Sequence, residues 1–258
     1  MTDYSVIDRP SLLQYLFYPR PDFREGPVNS FDLYPRMHDG VKGSVRFYMA
    51  DKASPTMLYF HGNGEVVSDY DELSPFFNMA GVNLAVADYR GYGASEGVPT
   101  FNDLVSDAAD IFECVRAEQS KRGMPPGLWV MGRSMGSISA LEIGARFPDL
   151  IKGLIIESGF LSPVRLIKSF GLSTPGLDID QVERDDREKA RSIRCPVLIL
   201  HGEYDSLVPL REAEHLYENL GSPDKRMLVI PGADHNDIMF VGLEQYFNAI
   251  QRFIKETA

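Results

Sequence analysis

The sequence predicts an α/β fold in which a mostly parallel β-sheet is covered on both faces by helices. Two observations carry this. Short β-rich runs recur along the chain and alternate with stretches whose apolar residues follow helical spacing. The runs are also nearly continuously apolar, as strands buried on both faces must be. A chain of 258 residues can bury a substantial core, and it reads as one domain over 1–258.

The predicted strands are VRFYM (45–49), TMLYF (56–60), VNLAVA (82–87), LWVMG (128–132), IKGLIIE (151–157), VLILHG (197–202) and MLVIPG (227–232). Between them, 101–119 places Leu104, Ala108, Ile111, Phe112 and Val115 on one helical stripe, with most acidic residues elsewhere, which marks a crossover helix. Further helices are expected at 66–80, 135–147, 209–220 and 237–256. There is no internal repeat.

Residues 161–194 break the rhythm. A single crossover should stand there, yet the stretch is longer than one needs and holds Pro163, Pro175, two glycines and the charge-dense ERDDREKAR. A solvated helix and loop would explain it, but long insertions in compact domains often serve as lids, so a small cap over a pocket is expected.

Composition narrows the partners. With 44% hydrophobic and 24% charged residues and no low-complexity tract, the chain has the makeup of a folded globular protein. A formal charge of −11 without a basic cluster repels phosphate backbones, so no nucleic-acid partner is expected. Cys114 and Cys195 sit in apolar contexts and read as buried thiols in a reducing compartment. The N-terminus lacks the basic start and apolar core of a secretory signal, and no run of about 18 uncharged apolar residues occurs. A cytoplasmic protein with no integral membrane segment is therefore expected. SLLQYLFYP (11–19) is apolar but short, and Pro19 and Pro21 interrupt it, so it is read as packing against the domain.

The chemistry centres on GRSMG (132–136), where an apolar run gives way to a helical pattern. A serine hydroxyl is a weak nucleophile at neutral pH and needs both a base and exposure to a carbonyl. Gly132 and Gly136 remove side chains that would clash in a tight strand-to-helix turn, and the turn lifts Ser134 to the carboxyl edge of the sheet. The same pattern fits a serine that merely caps a helix, so it needs company.

A base and an acid should follow in the order Ser, Asp, His. Of the five histidines, His38 and His61 precede the serine, His201 ends a buried strand and His215 lies within a helix pattern. His235, in IPGADHNDI just past the last predicted strand, is the candidate base. Asp205, in HGEYDSLVP after the preceding strand, can hold the imidazole tautomer and stabilise the imidazolium. Asp234 and Asp237 are too close in sequence to His235 to be the first choice. Negative charge developing on a carbonyl oxygen needs fixed donors. The N–H of Met135, next to the nucleophile, is one; the N–H of Asn63 in FHGNGE (60–65) is the second, with Gly64 as the fallback.

With HGNG, DYRGYGASEG (88–97), GRSMG, HGEYDSLVP and GADH in this order, the sequence resembles the α/β-hydrolase superfamily over nearly its whole length, most closely the serine aminopeptidase-like and lysophospholipase-like branch. The resemblance implies an eight-stranded sheet, Ser134 on the elbow, Asp205 as acid, His235 as base and a cap where 161–194 falls. Arg133, before the nucleophile, and Glu65, after HGNG, depart from the pattern, and positions facing the pocket, supporting it from behind or on the surface are all open to them.

The expected activity is that of a serine hydrolase cleaving esters or thioesters of a small-molecule acyl substrate through an acyl-enzyme, with no metal or organic cofactor. Its rate should rise as a histidine, ordinarily titrating near about 6.5, loses its proton. In the insertion, Leu161, Val164, Leu166, Ile167 and Phe170 hint at an apolar acyl group or belong to the core. A peptidase selecting a free amino terminus and a binding module without turnover are the alternatives. An acidic residue at the pocket mouth would favour the peptidase.

Overall fold

A computed structural model describes residues 2–172, 174 and 176–258, so Pro175 of the insertion lies outside the described residues. Eight strands form one sheet: β1 (Ser30–Leu33), β2 (Ser44–Tyr48), β3 (Thr56–Phe60), β4 (Asn83–Asp88), β5 (Leu128–Arg133), β6 (Ile151–Glu157), β7 (Val197–Gly202) and β8 (Lys225–Ile230). Their spatial order is β1-β2-β4-β3-β5-β6-β7-β8. The β1–β2 and β2–β4 pairs are antiparallel and all others parallel.

The helices are α1 (Pro10–Leu16), α2 (Ser74–Met79), α3 (Phe101–Arg122), α4 (Gly136–Arg146), α5 (Pro163–Ser169), α6 (Ile179–Ser192), α7 (Leu210–Asn219), α8 (Ile238–Val241) and α9 (Leu243–Thr257). They divide between the two faces because strand side chains alternate. Val130 of β5 and Ala85 and Ala87 of β4 join the core under α1, α3, α4 and α7, whereas Trp129, Met131, Leu84 and Val86 join the core under α2, α8 and α9. Burial on both sides explains the unbroken apolar runs.

All seven expected strands are present, shifted by at most two residues at an end. The eighth, β1, is a short half-buried edge strand between Pro27 and Pro35, and four residues with partial burial carry too little pattern to be read. The helix expected at 66–80 is in fact a 3-10 turn, Val67–Tyr70, followed by α2. Pro75 lacks the N–H an uninterrupted helix would use, so a helix can only start there. The helix expected at 237–256 is two, α8 and α9, meeting at Gly242; a Cβ there would lie 3.0 Å from Ile230 Cδ1, so the backbone passes against β8.

The N-terminal apolar stretch forms α1, which buries Leu12 and Leu16. Among the described residues, no helix is long and apolar enough to cross a membrane. Between β6 and β7 stand α5 and α6. Helix α6 packs on α4, with Lys189 Nζ 2.9 Å from Glu142 Oε2 and Asp186 buried, while Arg184 and Glu188 face outward.

The topology also locates a crevice. From β3 the chain moves outward to β4, then crosses back to β5 on the other side of β3, so the loops leaving β3 and β5 diverge at the carboxyl edge. Ligands of open α/β sheets bind at such a switch point.

Candidate active site

At that edge β5 ends in the tight turn that carries Ser134. The serine has φ +51°, the left-handed region that an ordinary L-residue occupies only under constraint, and its N–H is held by the Glu157 carbonyl at 2.8 Å. The flanking glycines make the turn possible. A Cβ on Gly132 would lie 2.7 Å from Ala140 Cβ, and one on Gly136 would run into the Phe60 carbonyl and lie 2.9 Å from the His61 carbonyl. Helix α4 therefore starts directly against the end of β3.

The structure brings Ser134, His235 and Asp205 into one array. His235 Nε2 is 3.0 Å from Ser134 Oγ, and His235 Nδ1 is 2.7 Å from Asp205 Oδ2. The other carboxylate oxygen of Asp205 accepts the N–H groups of Leu207 at 3.1 Å and Val208 at 2.7 Å. Both residues sit in the loops after β7 and β8 and are buried. The remaining histidines are engaged elsewhere. His38 faces Asp110, His61 contacts the Gly62 carbonyl, His201 Nε2 lies 2.8 Å from the Val208 carbonyl, and His215 is on α7. Burial pushes the His201 imidazole below its ordinary pKa, so it stays neutral beneath Asp205.

Asp234 and Asp237 shape the loop instead. Asp234 Oδ1 accepts the N–H of Ser206 at 2.8 Å and of His235 at 2.7 Å, and Asp237 Oδ1 accepts the Asp234 N–H at 2.7 Å.

The loop after β3 closes on itself, with the Glu65 N–H 3.3 Å from the Gly62 carbonyl and Gly64 at φ +80°. The side chain of Asn63 is a clamp. Its oxygen accepts from Tyr92 Oη at 2.6 Å and the Tyr18 N–H at 3.0 Å, and its Nδ2 donates to the Leu16 carbonyl at 2.9 Å. Among the described residues, the backbone N–H groups of Asn63 and Met135 donate to no protein acceptor.

Above the array opens a cleft of about 480 Å³ whose walls include Leu16, Phe101, Phe160, Leu166, Phe170 and Leu207. Tyr15 on α1 and Tyr18 just after it form part of its rim, a role that composition alone could not assign to that stretch. Of the apolar residues noted in the insertion, Leu166 and Phe170 line the cleft, while Leu161, Val164 and Ile167 are buried in the core. Among the described lining residues there is no Asp or Glu.

Of the two residues the sequence left unplaced, Arg133 lines the cleft beside Ser134, and Glu65 lies behind it. Arg133 Nη1 pairs with Glu65 Oε1, its Nε lies 3.1 Å from Glu157 Oε1, and its Nη2 donates to the His235 carbonyl at 2.9 Å and to Asn236 Oδ1 at 3.0 Å. Glu157 was not singled out by sequence at all; a glutamate closing an apolar strand, IKGLIIE, was the available signal. His38, Asp107 and Asp110 bring possible metal-ligand atoms within 4.8 Å of one another, but Arg90 already engages both oxygens of Asp107, at 2.7 and 2.8 Å.

A mostly parallel sheet in this strand order, with a strained serine on the β5–α4 turn, is the α/β-hydrolase fold. Residues 51–175 and 176–239 match the family described as serine aminopeptidase, S33, and the chain belongs to it. It is thus a hydrolase of the α/β type. It is similar to uncharacterized protein YfhR of Salmonella typhimurium, 31% identical over 221 residues that cover 81% of this chain and 74% of that one. Human alpha/beta hydrolase domain-containing protein 17B is 29% identical over 223 residues, 83% of this chain and 73% of its own. The esterase Pf2001 of Pyrococcus furiosus shares the fold with a TM-score of 0.75 at 19% identity, over 93% of this chain and 99% of that one.

Proposed function

We propose that this hydrolase cleaves carboxylic esters or thioesters through an acyl-enzyme on Ser134, with His235 and Asp205 completing the triad. The observation that carries the reading is the unbroken hydrogen-bond array from Ser134 Oγ through His235 to Asp205, lying in the floor of an apolar cleft. His235 Nε2 takes the hydroxyl proton as Oγ attacks the carbonyl carbon, and Asp205 holds the proton on Nδ1 and balances the imidazolium. The oxyanion is received by the N–H groups of Met135 and Asn63. His235 then protonates the leaving alcohol or thiol, and a water molecule repeats the sequence to release the acid. No step calls on a metal or organic cofactor.

The cleft favours an uncharged acyl group on a small molecule. A peptidase that selects a free amino terminus needs a carboxylate to hold the ammonium, and the described lining offers none. In this reading the first part of the insertion, up to Leu172, serves as an apolar cap, within a single domain. A reducing, cytoplasmic setting is in keeping with the unpaired Cys114 and Cys195.

The test is labelling with a fluorophosphonate probe, comparing the parent with Ser134→Ala. A parent that fails to label would leave only a binding module. A panel of p-nitrophenyl esters of rising chain length, acyl thioesters and aminoacyl amides then separates the substrate classes. Turnover of the amides alone would overturn the preference for esters.

A further inference from the structure

We propose that Arg133 and Glu65 are positioning residues: one guanidinium, gripping the loop after β3 and the loop after β8 together, sets the oxyanion donors in register with the base. The inference rests on the triad reading above and adds the means by which three separate chain segments keep their spacing.

Glu65 acts on the first loop. Its Oε2 accepts the Gly62 N–H at 2.8 Å and the Tyr70 hydroxyl at 2.7 Å, while Oε1 takes Arg133. Tying the Gly62 N–H to Glu65 bends the loop around Asn63, whose own N–H donates to no protein acceptor among the described residues. Gly62 itself leaves no room for a side chain: a Cβ there would strike Arg133 Nη1 and lie 3.0 Å from Glu65 Oε1.

Arg133 acts on the other two segments. It is the residue before the nucleophile, so any shift of its guanidinium is felt at the elbow. Its Nη2 holds the carbonyl of His235, the backbone of the proposed base, at 2.9 Å. From below, Glu157 fixes the guanidinium through Oε1 and fixes Ser134 through its backbone carbonyl. Glu157 Oε2 accepts in turn from Tyr246 Oη at 2.6 Å and Tyr59 Oη at 3.2 Å.

The network is fully supplied, as a buried ionic cluster must be. Burial and the neighbouring carboxylates push the hydroxyls of Tyr59, Tyr70 and Tyr246 well above the usual tyrosine range, so all three remain donors. Burial works to raise the Glu65 carboxyl, but Arg133 and the donated hydrogen bonds outweigh it and hold the group below the ordinary glutamate value. Packing alone does not explain the arrangement. Apolar side chains of similar volume commonly stabilise a core as well as a buried ion pair does. A planar guanidinium with donors in fixed directions provides geometry that apolar groups lack, and lysine's single ammonium lacks it too.

The experiment uses the full chain and first asks whether the parent labels with a fluorophosphonate; a parent that does not label refutes the serine-hydrolase reading whatever Arg133 does. With a labelling parent, Glu65→Gln, Arg133→Met and the double variant are compared for thermal unfolding, kcat and KM on one p-nitrophenyl ester. Positioning predicts folded variants with kcat lower by about 10- to 100-fold and KM within about threefold, since misplaced donors weaken the transition state more than the ground state. It also predicts that the double variant is no slower than Arg133→Met, because the two side chains act as one unit. A purely structural role predicts that activity falls only with the unfolded fraction. Parent-like kcat in folded Glu65→Gln would overturn the proposal, including where Arg133→Met does not fold.

Discussion

The substitution Asp205→Asn tests the triad with the smallest change of shape. Asp205 Oδ1 accepts two backbone N–H groups, from Leu207 and Val208. The amide NH2 of the introduced asparagine cannot face those donors, so it must take the place of Oδ2, 2.7 Å from His235 Nδ1. There it donates to Nδ1, which forces the imidazole proton onto Nε2, facing Ser134 Oγ. The base then presents a donor where an acceptor is required. Both neighbouring aspartates are held in the loop, Asp234 Oδ1 by the Ser206 and His235 N–H groups and Asp237 Oδ1 by the Asp234 N–H. The same change in a serine protease costs about 10⁴-fold. A loss of about 10³- to 10⁴-fold in kcat/KM is expected here, about 4–5.5 kcal/mol of transition-state stabilisation. The fold should persist, because the amide oxygen keeps both backbone contacts. The assay is p-nitrophenyl ester hydrolysis from pH 6 to 9 with the rate of fluorophosphonate labelling alongside. A folded variant within tenfold of the parent would refute the assignment of Asp205.

Two further outcomes are expected. Gly136→Ala should destabilise by about 1–3 kcal/mol, as overpacking does, because its Cβ runs into the end of β3. It should also slow turnover by at least about tenfold through displacement of the loop after β3, which carries the proposed donor Asn63, and unchanged melting and kcat would contradict the packing described. The pH dependence of stability should report His201. Burial holds its imidazole below the ordinary value, so below about pH 6.5 the unfolded chain binds more protons than the native one. Its contribution is complete above that pH and is lost as the pH falls towards the folded-state value. In urea unfolding between pH 7.5 and 5, the parent should therefore lose stability more steeply than His201→Gln, by up to about 1.4 kcal/mol per pH unit. Identical slopes would refute a neutral buried His201.

Much of the site could be read from the chain because its demands are local. The left-handed turn at Ser134 requires Gly132 and Gly136 at fixed offsets, and the loops after β7 and β8 announce Asp205 and His235 by following apolar runs. Arg133 and Glu65 showed only that they depart from the family pattern, and Glu157 only that it closes an apolar strand. Each looks like an ordinary charged residue, and its role depends on partners far away in sequence: 68 residues from Arg133 to Glu65, and 102 to His235. The N-terminal stretch behaves alike, since its tyrosines become cleft rim only where Asn63 ties residues 16 and 18 to the loop after β3.

Local patterns by themselves determined the α/β class, the order of the strands along the chain and the residues proposed for nucleophilic chemistry. They could do so because apolar periodicity and glycine-dependent turns are properties of neighbouring residues. Tertiary structure alone decided which side chains of the insertion face the cleft and which face the core, and that a half-buried arginine joins three loops beside the serine. Those outcomes follow from close packing and from the pairing of buried charges, which depend on what the folded chain brings near rather than on what lies next in sequence.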